Sequence, residues 1–487
     1  MPSITAKRRV VVVGGSFAGL CTARHLKNDA DVVVIEPRDY FEYTPGACHL
    51  MAGSGAYSAL LSPMEQVCDG VRHECGWFAG LSSTTQGRLL VRRAGVEGKP
   101  DDAPLEELDF DALVICAGVP YTAPIRASPA AQTCTERIAE LKAFNRRVEQ
   151  CQNIVVVGGG LVGVELAAEL AVRPNYKRGA PVVTLISRGN LLNTLPDKAG
   201  VHAMNWMRKN SVNVLIGDQV KDHNKQDKML LTQRGVEIPV DLLVDCTGQG
   251  AVPSFQPEFM EKQGIVSSLS TSGGPAVVWP FSEEGLVIVD KHLRAVQFPD
   301  QGIFAAGDVV EHEQGIGFAV TTAKCGGMGT LSRRPTVRNA HIAESQAELC
   351  AANVRRFLHN TAAGKTSSIT AHHLLQYPRD VFGAPLNPLL ACVSLGPRQA
   401  ILVVNGLVIG GAVLGLVAAI AKFVIERSKI AEIRQKAWGR AFWALSHVIV
   451  NALHAAYVNL IVFWKRLIFR KRGGMSAASS AGNLAPL

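Results

Sequence analysis

The sequence predicts an α/β protein with two Rossmann-like dinucleotide-binding domains and a C-terminal, partly helical, apolar region. Three observations predict it. Two glycine-rich turns lie about one domain length apart, VVVVGGSFAGL from Val10 to Leu20 and IVVVGGGLVGVEL from Ile154 to Leu166. Each is followed at a comparable distance by an apolar strand that ends in small residues, DFDALVICAG (Asp109–Gly118) and DLLVDCTGQG (Asp241–Gly250). That repetition reads as an internal duplication of one nucleotide-binding design. Near the C-terminus, Ala400 to Ala421 contains no charged residue, and a second apolar run spans Ala441 to Trp464.

The first turn carries its chemistry in order. A run of β-branched residues ends at Gly14, Gly15, Ser16 and Gly19 and opens into a helical pattern. One glycine permits the tight turn, another the approach of a pyrophosphate, and a third the packing of helix on strand. The helix N-terminus then offers amide donors to phosphate. Ser16 stands where the usual fingerprint has its second glycine, a small replacement. The next strand, Val32 to Ile35, ends at Glu36, about 20 residues on, where a carboxylate can accept from ribose hydroxyls. Pro37 and Arg38 continue that loop, and Ala117 and Gly118 end the strand that returns to it. Tyr40, Phe41 and Tyr43 precede the turn Thr44-Pro45-Gly46 and read as a segment flanking a ligand rather than as isolated core aromatics.

The second turn keeps all three glycines, Gly158, Gly160 and Gly163, with Gly248 ending its return strand. Its second strand, Val182 to Ile186, leads to Ser187 and Arg188 where the acidic residue belongs. A guanidinium at that place either meets a ribose 2′-phosphate or points into solvent, so NADH and NADPH both stay open. Two dinucleotide sites in one chain imply a flavin and a nicotinamide. The strand GIFAAGDVV (Gly302–Val310) then places Gly307 and Asp308 where an aspartate can bind flavin ribityl hydroxyls. A helical pattern begins near Asn339. Gly264–Gly274 reads as a surface loop and Gln314–Arg334 as a mobile lid.

Composition narrows the class. The 487 residues are 47% hydrophobic and 19% charged, with a formal net charge of +9. Much of that excess lies beside the C-terminal apolar runs, and no aromatic-interleaved basic patch or zinc-finger spacing occurs, so nucleic acid is not the expected partner. The 11 cysteines show no CxxC, and Cys68 and Cys75 are too far apart for a CxxxxC redox pair. Most therefore read as small buried hydrophobes of a reducing compartment. No metal-ligand set is present. Lys7, Arg8 and Arg9 lead straight into the first strand and leave no room for a secretory apolar region.

The C-terminal runs are each long enough to span a bilayer, yet both are interrupted. Asn405-Gly406 and Gly410-Gly411 suit a strand, a turn and then a helix; His447, Asn451 and His454 put a polar stripe on the second run. Basic flanks with Trp438, Trp443 and Trp464 suit helices lying in a membrane surface, ahead of a true span. The competing expectation is that these helices pack on the nucleotide domains or form a homodimer interface.

Taken together, GGSFAGL, EPRDYFEYTPG, GGGLVGVELAAEL, GIFAAGDVV and VSLGPRQA resemble the two-dinucleotide flavoproteins, over roughly Arg9 to Ile430. Within them the resemblance is to type II NADH dehydrogenases and apoptosis-inducing-factor-like NAD(P)H:quinone oxidoreductases. It implies hydride transfer from NAD(P)H to FAD, then reduction of a membrane quinone without proton pumping. It divides the chain into an FAD-binding domain (1–150 and 286–360), an NAD(P)H-binding domain (151–285), a membrane-associating region (361–472) and a disordered tail (473–487). Gly14, Gly15, Ser16, Gly19 and Glu36 would hold the FAD adenylate half, Pro45 would lie near the isoalloxazine, and Asp308 would bind the ribityl chain. Glu165 matches a family glutamate near the nicotinamide–flavin contact and, if desolvated, could pass protons to the reduced quinone. The alternative for Glu165 is a helix-face residue that hydrogen-bonds within its domain. His341 and Ser345 stand where type II enzymes place glutamines; His341 either donates to a quinone carbonyl or is a surface histidine. The expected location is the surface of an intracellular membrane, a mitochondrial one included, and otherwise the cytoplasm. Two further functions stay open: a ferredoxin-type reductase, and a redox-sensing flavoprotein of slow turnover.

Overall fold

The computed structural model describes residues 7–53, 55–82, 87–93, 105–119, 121–173, 181–247, 277–278, 280–282, 285–313, 339–362, 373–377, 380–381, 384–385, 390–404, 406–411, 413–446, 448–449 and 452. Gly248, the segments Gly264–Gly274 and Gln314–Arg334, Asn405, the polar stripe of the second apolar run, Trp464 and the tail from Gly473 lie outside them.

The first nucleotide unit is a five-stranded parallel sheet in the order Ile303–Ala305, Ala112–Ile115, Arg9–Val13, Asp31–Ile35, Arg72–Glu74. Its central strand is buried on both faces, which is why Val10 to Val13 form a continuous apolar run rather than an alternating one. The register pairs Val10 with Val32 on one side and with Ala112 on the other. The second unit repeats the scheme with four parallel strands, Asn213–Ile216, Val182–Ser187, Asn153–Val157 and Leu242–Asp245. Both α/β units are thus as the sequence predicts, with the second strand of the latter one residue longer than expected.

Antiparallel additions flank these sheets. Gly76–Ser82, Arg88–Arg93 and Leu105–Asp109 form a meander whose edge pairs with Val277–Val278, and Val220–Asn224, Met229–Thr232 and Glu237–Pro239 form a second. The long helix Ala340–Ala362 begins where the sequence places it and packs against the helix Phe17–Leu26.

The first apolar run is not one helix. Residues 400 to 409 form two antiparallel strands, Ala400–Val404 and Leu407–Ile409, beside Leu390–Ser394. Gly406 (φ +88°) and Gly411 (φ +96°) occupy the left-handed region that glycine tolerates, one in the turn and the other before the helix Leu414–Ile433. The expected strand, turn and helix are present, with one more strand. Among the described residues no helix is long and apolar enough to cross a membrane. The helix instead has two faces: Ala418 and Ile430 are buried, whereas Val413, Val417, Ile420 and Phe423 are each more than half exposed. Trp438, Leu445 and Val448, on helical residues that begin at 437, are also exposed.

Candidate functional site

The first turn is built by close approach. Gly14 has φ +104°, and a Cβ there would lie 2.5 Å from the Cys116 carbonyl oxygen. A Cβ on Gly19 would lie 1.8 Å from the Gly14 oxygen, so helix and strand touch through backbone alone. Ser16 is the N-cap of the helix Phe17–Leu26 and its side chain makes no capping bond, which leaves the first amides of the helix available to a ligand. Glu36, 8% exposed, accepts from the Gly15 amide at 2.9 Å through one oxygen and from the Arg38 amide and guanidinium at 3.3 Å through the other. A carboxylate has about four acceptor sites, so capacity for ribose hydroxyls remains. Pro37 accepts from the Cys75 thiol at 3.1 Å, and Gly118 (φ +72°), beside Ala117, turns the chain away from the sheet.

The second turn has the same construction. Gly158 (φ +116°) abuts the Cys246 carbonyl, a Cβ on Gly163 would lie 1.9 Å from the Gly158 oxygen, and Gly160 is the N-cap of Leu161–Ala171. A Cβ on Gly160 or Gly189 would meet nothing within 4 Å, which leaves open space above this turn for a nucleotide. Ser187 is buried and donates to the Gly189 carbonyl at 2.7 Å; Arg188 is exposed.

The two units meet at one cavity of about 280 Å³. Ser16, Thr44, Pro45 and Asp308 line it from the first unit, Leu161, Val162 and Glu165 from the second, and His341, Cys392, Lys422, Lys429 and Trp443 from the C-terminal elements. These residues fit a flavin: amide donors at Ser16, a carboxylate at Asp308 for hydroxyls, and small or apolar groups at Pro45 and Ala47 for a ring. Gly307 (φ +89°), just before Asp308, donates its amide to the buried Gln346 side chain at 2.8 Å, so the helix Ala340–Ala362 fixes that turn. Phe17 makes edge contacts with Phe41 at 5.3 Å and Tyr43 at 5.6 Å, packing the aromatic loop against the first helix. Burial pushes the Tyr40 and Tyr43 phenols up, so both stay neutral.

Glu165 is 9% exposed and held from two sides, accepting from the Ser394 amide at 2.6 Å and from Lys422 at 2.5 Å. Burial works against the Lys422 charge, but Glu165 outweighs it and raises the lysine. One turn on, Glu169 is 1% exposed and lies 3.1 Å from His49; despite burial, that carboxylate raises the histidine. Lys429 sits 2.6 Å from Glu344 and 2.8 Å from Glu432, with its ammonium 4.7 Å from the Trp443 ring centre.

Lys422, Lys429, Glu344 and Gln346 did not emerge from the sequence as site residues. A signal existed for the lysines: Lys422 and Lys429 are seven residues apart and so share one face of a helix whose first two turns are apolar. Their partners lie up to 257 residues away, beyond any local pattern. All ten described cysteines are free thiols, and among the described residues no cluster of three His, Cys, Asp or Glu could hold a metal ion.

Known proteins share this design. Apoptosis-inducing factor homolog B of Dictyostelium discoideum is 24% identical over 261 residues, covering 50% of this chain and 64% of that protein. The external alternative NAD(P)H-ubiquinone oxidoreductase B1, mitochondrial, of Solanum tuberosum is 24% identical over 292 residues, covering 53% and 50%. The matched stretch thus spans between half and two thirds of these relatives' own length. In fold, NDH2 from Plasmodium falciparum, solved in complex with NADH, superposes with a TM-score of 0.62 at 15% identity over 88% of this chain and 98% of that one. The pyridine nucleotide-disulphide oxidoreductase family matches residues 8–347, a stretch that contains both glycine turns and the Gly307-Asp308 strand. The chain therefore belongs to that family of oxidoreductases, with FAD as cofactor.

Proposed function

We propose that the protein is a membrane-attached, FAD-dependent NAD(P)H:quinone oxidoreductase that pumps no protons. The observation that carries this reading is the shared cavity. Its walls come from both nucleotide units and from a C-terminal helix whose opposite face is apolar and exposed. A nicotinamide held at Gly158, Gly160 and Gly163 and a flavin held at Gly14, Gly15, Ser16, Gly19, Glu36 and Asp308 would meet there. Bound FAD supplies the step between a two-electron hydride donor and the acceptor. The chain's own residues position the two nucleotides, exclude water with Phe17, Tyr43 and Trp443, and hold an ion pair at Glu165–Lys422. Glu165 and His341 line the same space and would serve the acceptor step.

The exposed stripe Val413, Val417, Ile420 and Phe423, with Trp438 and Leu445 beyond it, exceeds what scattered surface hydrophobes require. Its place is the interfacial layer of a bilayer, with the helix in the membrane plane, on an intracellular membrane such as a mitochondrial one. A second copy of the chain on that stripe is the competing occupant. Likeness to the Solanum tuberosum NAD(P)H-ubiquinone oxidoreductase supports quinone as acceptor. Likeness to an apoptosis-inducing factor homolog keeps the second reading, a slow redox-sensing flavoprotein, beside the first.

The test is purification in detergent with FAD, followed by NADH and NADPH oxidation with a short-chain ubiquinone. Rapid quinone-dependent oxidation supports the proposal. Turnover only with an added iron–sulfur protein makes it a ferredoxin-type reductase, and negligible turnover with every acceptor makes it a sensor. Flotation with anionic vesicles, compared between the full chain and Ile420→Glu/Phe423→Glu, tests the membrane face; equal flotation would refute it.

A further inference from the structure

A second cavity of about 230 Å³ lies beside the first. Phe17, Glu344, Lys429 and Trp443 line both and form the common wall; Glu348 and Glu432 line the second. The carboxylate shared by the two spaces is Glu344. By contrast, Glu165 lines the first cavity and is committed to Ser394 and Lys422.

The inference rests on the quinone-reductase reading, whose proton balance is unequal. A dihydronicotinamide yields a hydride, which is two electrons and one proton. A quinone becomes a hydroquinone by taking two electrons and two protons, one on each carbonyl oxygen. One proton per turnover must enter from solvent.

We propose that Glu344 is the general acid that carries this solvent proton from the second cavity to an acceptor carbonyl oxygen in the first. Its carboxyl O–H bond breaks, the quinone O–H bond forms as the electrons arrive, and the carboxylate is reprotonated through the cavity lined by Glu348 and Glu432. The charge arrangement suits the role. Lys429 is shared between Glu344 and Glu432, and Glu432 also has Arg24 at 3.5 Å, so Glu344 is the less compensated carboxylate. The other groups around it are Cys21 from the first helix, Arg24 on the same helix, which acts first on Glu432 and more weakly on Glu344, Tyr43 from the aromatic loop and Glu348 on its own helix. Burial, reinforced by Glu432 and Glu348, pushes the Glu344 carboxyl up despite Lys429. A raised carboxyl keeps its proton nearer neutrality, where a general acid is useful.

The experiment uses the FAD-loaded full chain in detergent as wild type, Glu344→Gln and Glu344→Asp. Rates are taken across pH with a short-chain ubiquinone and with ferricyanide, which accepts electrons without protons. Infrared spectra report the protonated carboxyl. In Glu344→Gln the quinone-to-ferricyanide rate ratio should fall about 100-fold, with part of it restored in Glu344→Asp. The wild-type ratio should decline as pH rises through the raised pKa, while that of Glu344→Gln stays flat. The protonated-carboxyl band of the wild type should be missing from Glu344→Gln. An unchanged ratio, a persisting band, or a parallel loss with both acceptors that Glu344→Asp does not restore would overturn the assignment. A wild type that reduces ferricyanide but no quinone would instead overturn the functional reading beneath it.

Discussion

The two glycine turns have nearly the same backbone and different chemistry. Gly14 donates to Ile35 at 2.8 Å, and Gly158 to Ile186 at 2.8 Å; Cys116 donates to Val13 at 2.7 Å, and Cys246 to Val157 at 2.7 Å. In each turn a Cβ on the middle glycine would strike the residue at the C-terminal end of the second strand, Glu36 just past it or Ser187 as its last residue. At Gly15 it meets Glu36, 2.9 Å away, besides the flexible end of Met64 at 2.5 Å, and at Gly159 it meets Ser187, 2.2 Å away. The backbone therefore fixes where a nucleotide lies, and the single residue at the end of the second strand decides what that nucleotide meets. At Glu36 it meets an acceptor bonded to the turn; at Ser187 it meets a hydroxyl already turned toward Gly189, with an exposed Arg188 beside it.

The shared backbone is where substitution should cost most. Gly19→Ala and Gly163→Ala each put a methyl within 2 Å of a carbonyl oxygen, at 1.8 and 1.9 Å. Backbone cannot give way as a flexible side chain can, so each should cost about 3 kcal/mol, the upper end for overpacking. Thermal unfolding should show equal losses, with FAD release from Gly19→Ala and weakened NADH binding by Gly163→Ala. A large loss at one turn and none at the other would break the equivalence.

The differing residue comes next. In Glu36→Ala the buried Gly15 amide loses its acceptor, worth about 1–3 kcal/mol, so FAD should be held roughly 10- to 100-fold more weakly. Ser187→Ala removes only a local bond and should leave NADH affinity within about threefold. Dialysis with absorbance at the flavin band measures the first, and full flavin occupancy in Glu36→Ala would contradict the assignment. Arg188→Ala sharpens the second: if the guanidinium meets a 2′-phosphate, kcat/KM for NADPH should drop about tenfold while NADH is spared. Equal effects on both nucleotides would leave Arg188 in solvent.

How much of this was legible follows from the range of the interactions. The turns, Glu36 and the Gly307-Asp308 strand announce themselves because their geometry is set within a few residues by glycine conformation and β-branched runs. The antiparallel meander from Gly76 to Asp109 carries no comparable signature and was not anticipated. The acceptor side was legible only as a list of candidates. Lys422 reads as part of a basic helix until the fold brings Glu165 to it across 257 residues. Glu344 likewise gains its meaning from two cavities and from Lys429. Whether the apolar helix faces lipid or a second copy depends on an exposed stripe that only the packing of Leu414–Ile433 against Ala400–Val404 reveals.

The smallest difference lies at the bottom of the two sheets. Asp111 accepts from the Arg9 amide at 2.7 Å at the start of the first central strand, and Asp241 accepts from the Gln152 and Asn153 amides at 2.9 and 3.0 Å at the start of the second. Asp241 also pairs with Lys228 at 3.0 Å. Burial pushes its carboxyl up, but the Lys228 bond and the two amides outweigh that and hold it below the ordinary aspartate range. A depressed folded-state pKa gives stability that is present above the unfolded value, near pH 4, and lost as pH falls through the folded value. Asp241→Asn should therefore cost about 1 kcal/mol or less at pH 7, since the pair is largely at the surface, and nothing once the wild-type carboxyl is itself protonated in acid. Denaturant melts at several pH values would show the two curves converging on the acid side. A gap that persists there would mean that Asp241 stabilises the strand through the shape of its hydrogen bonds, not through its charge.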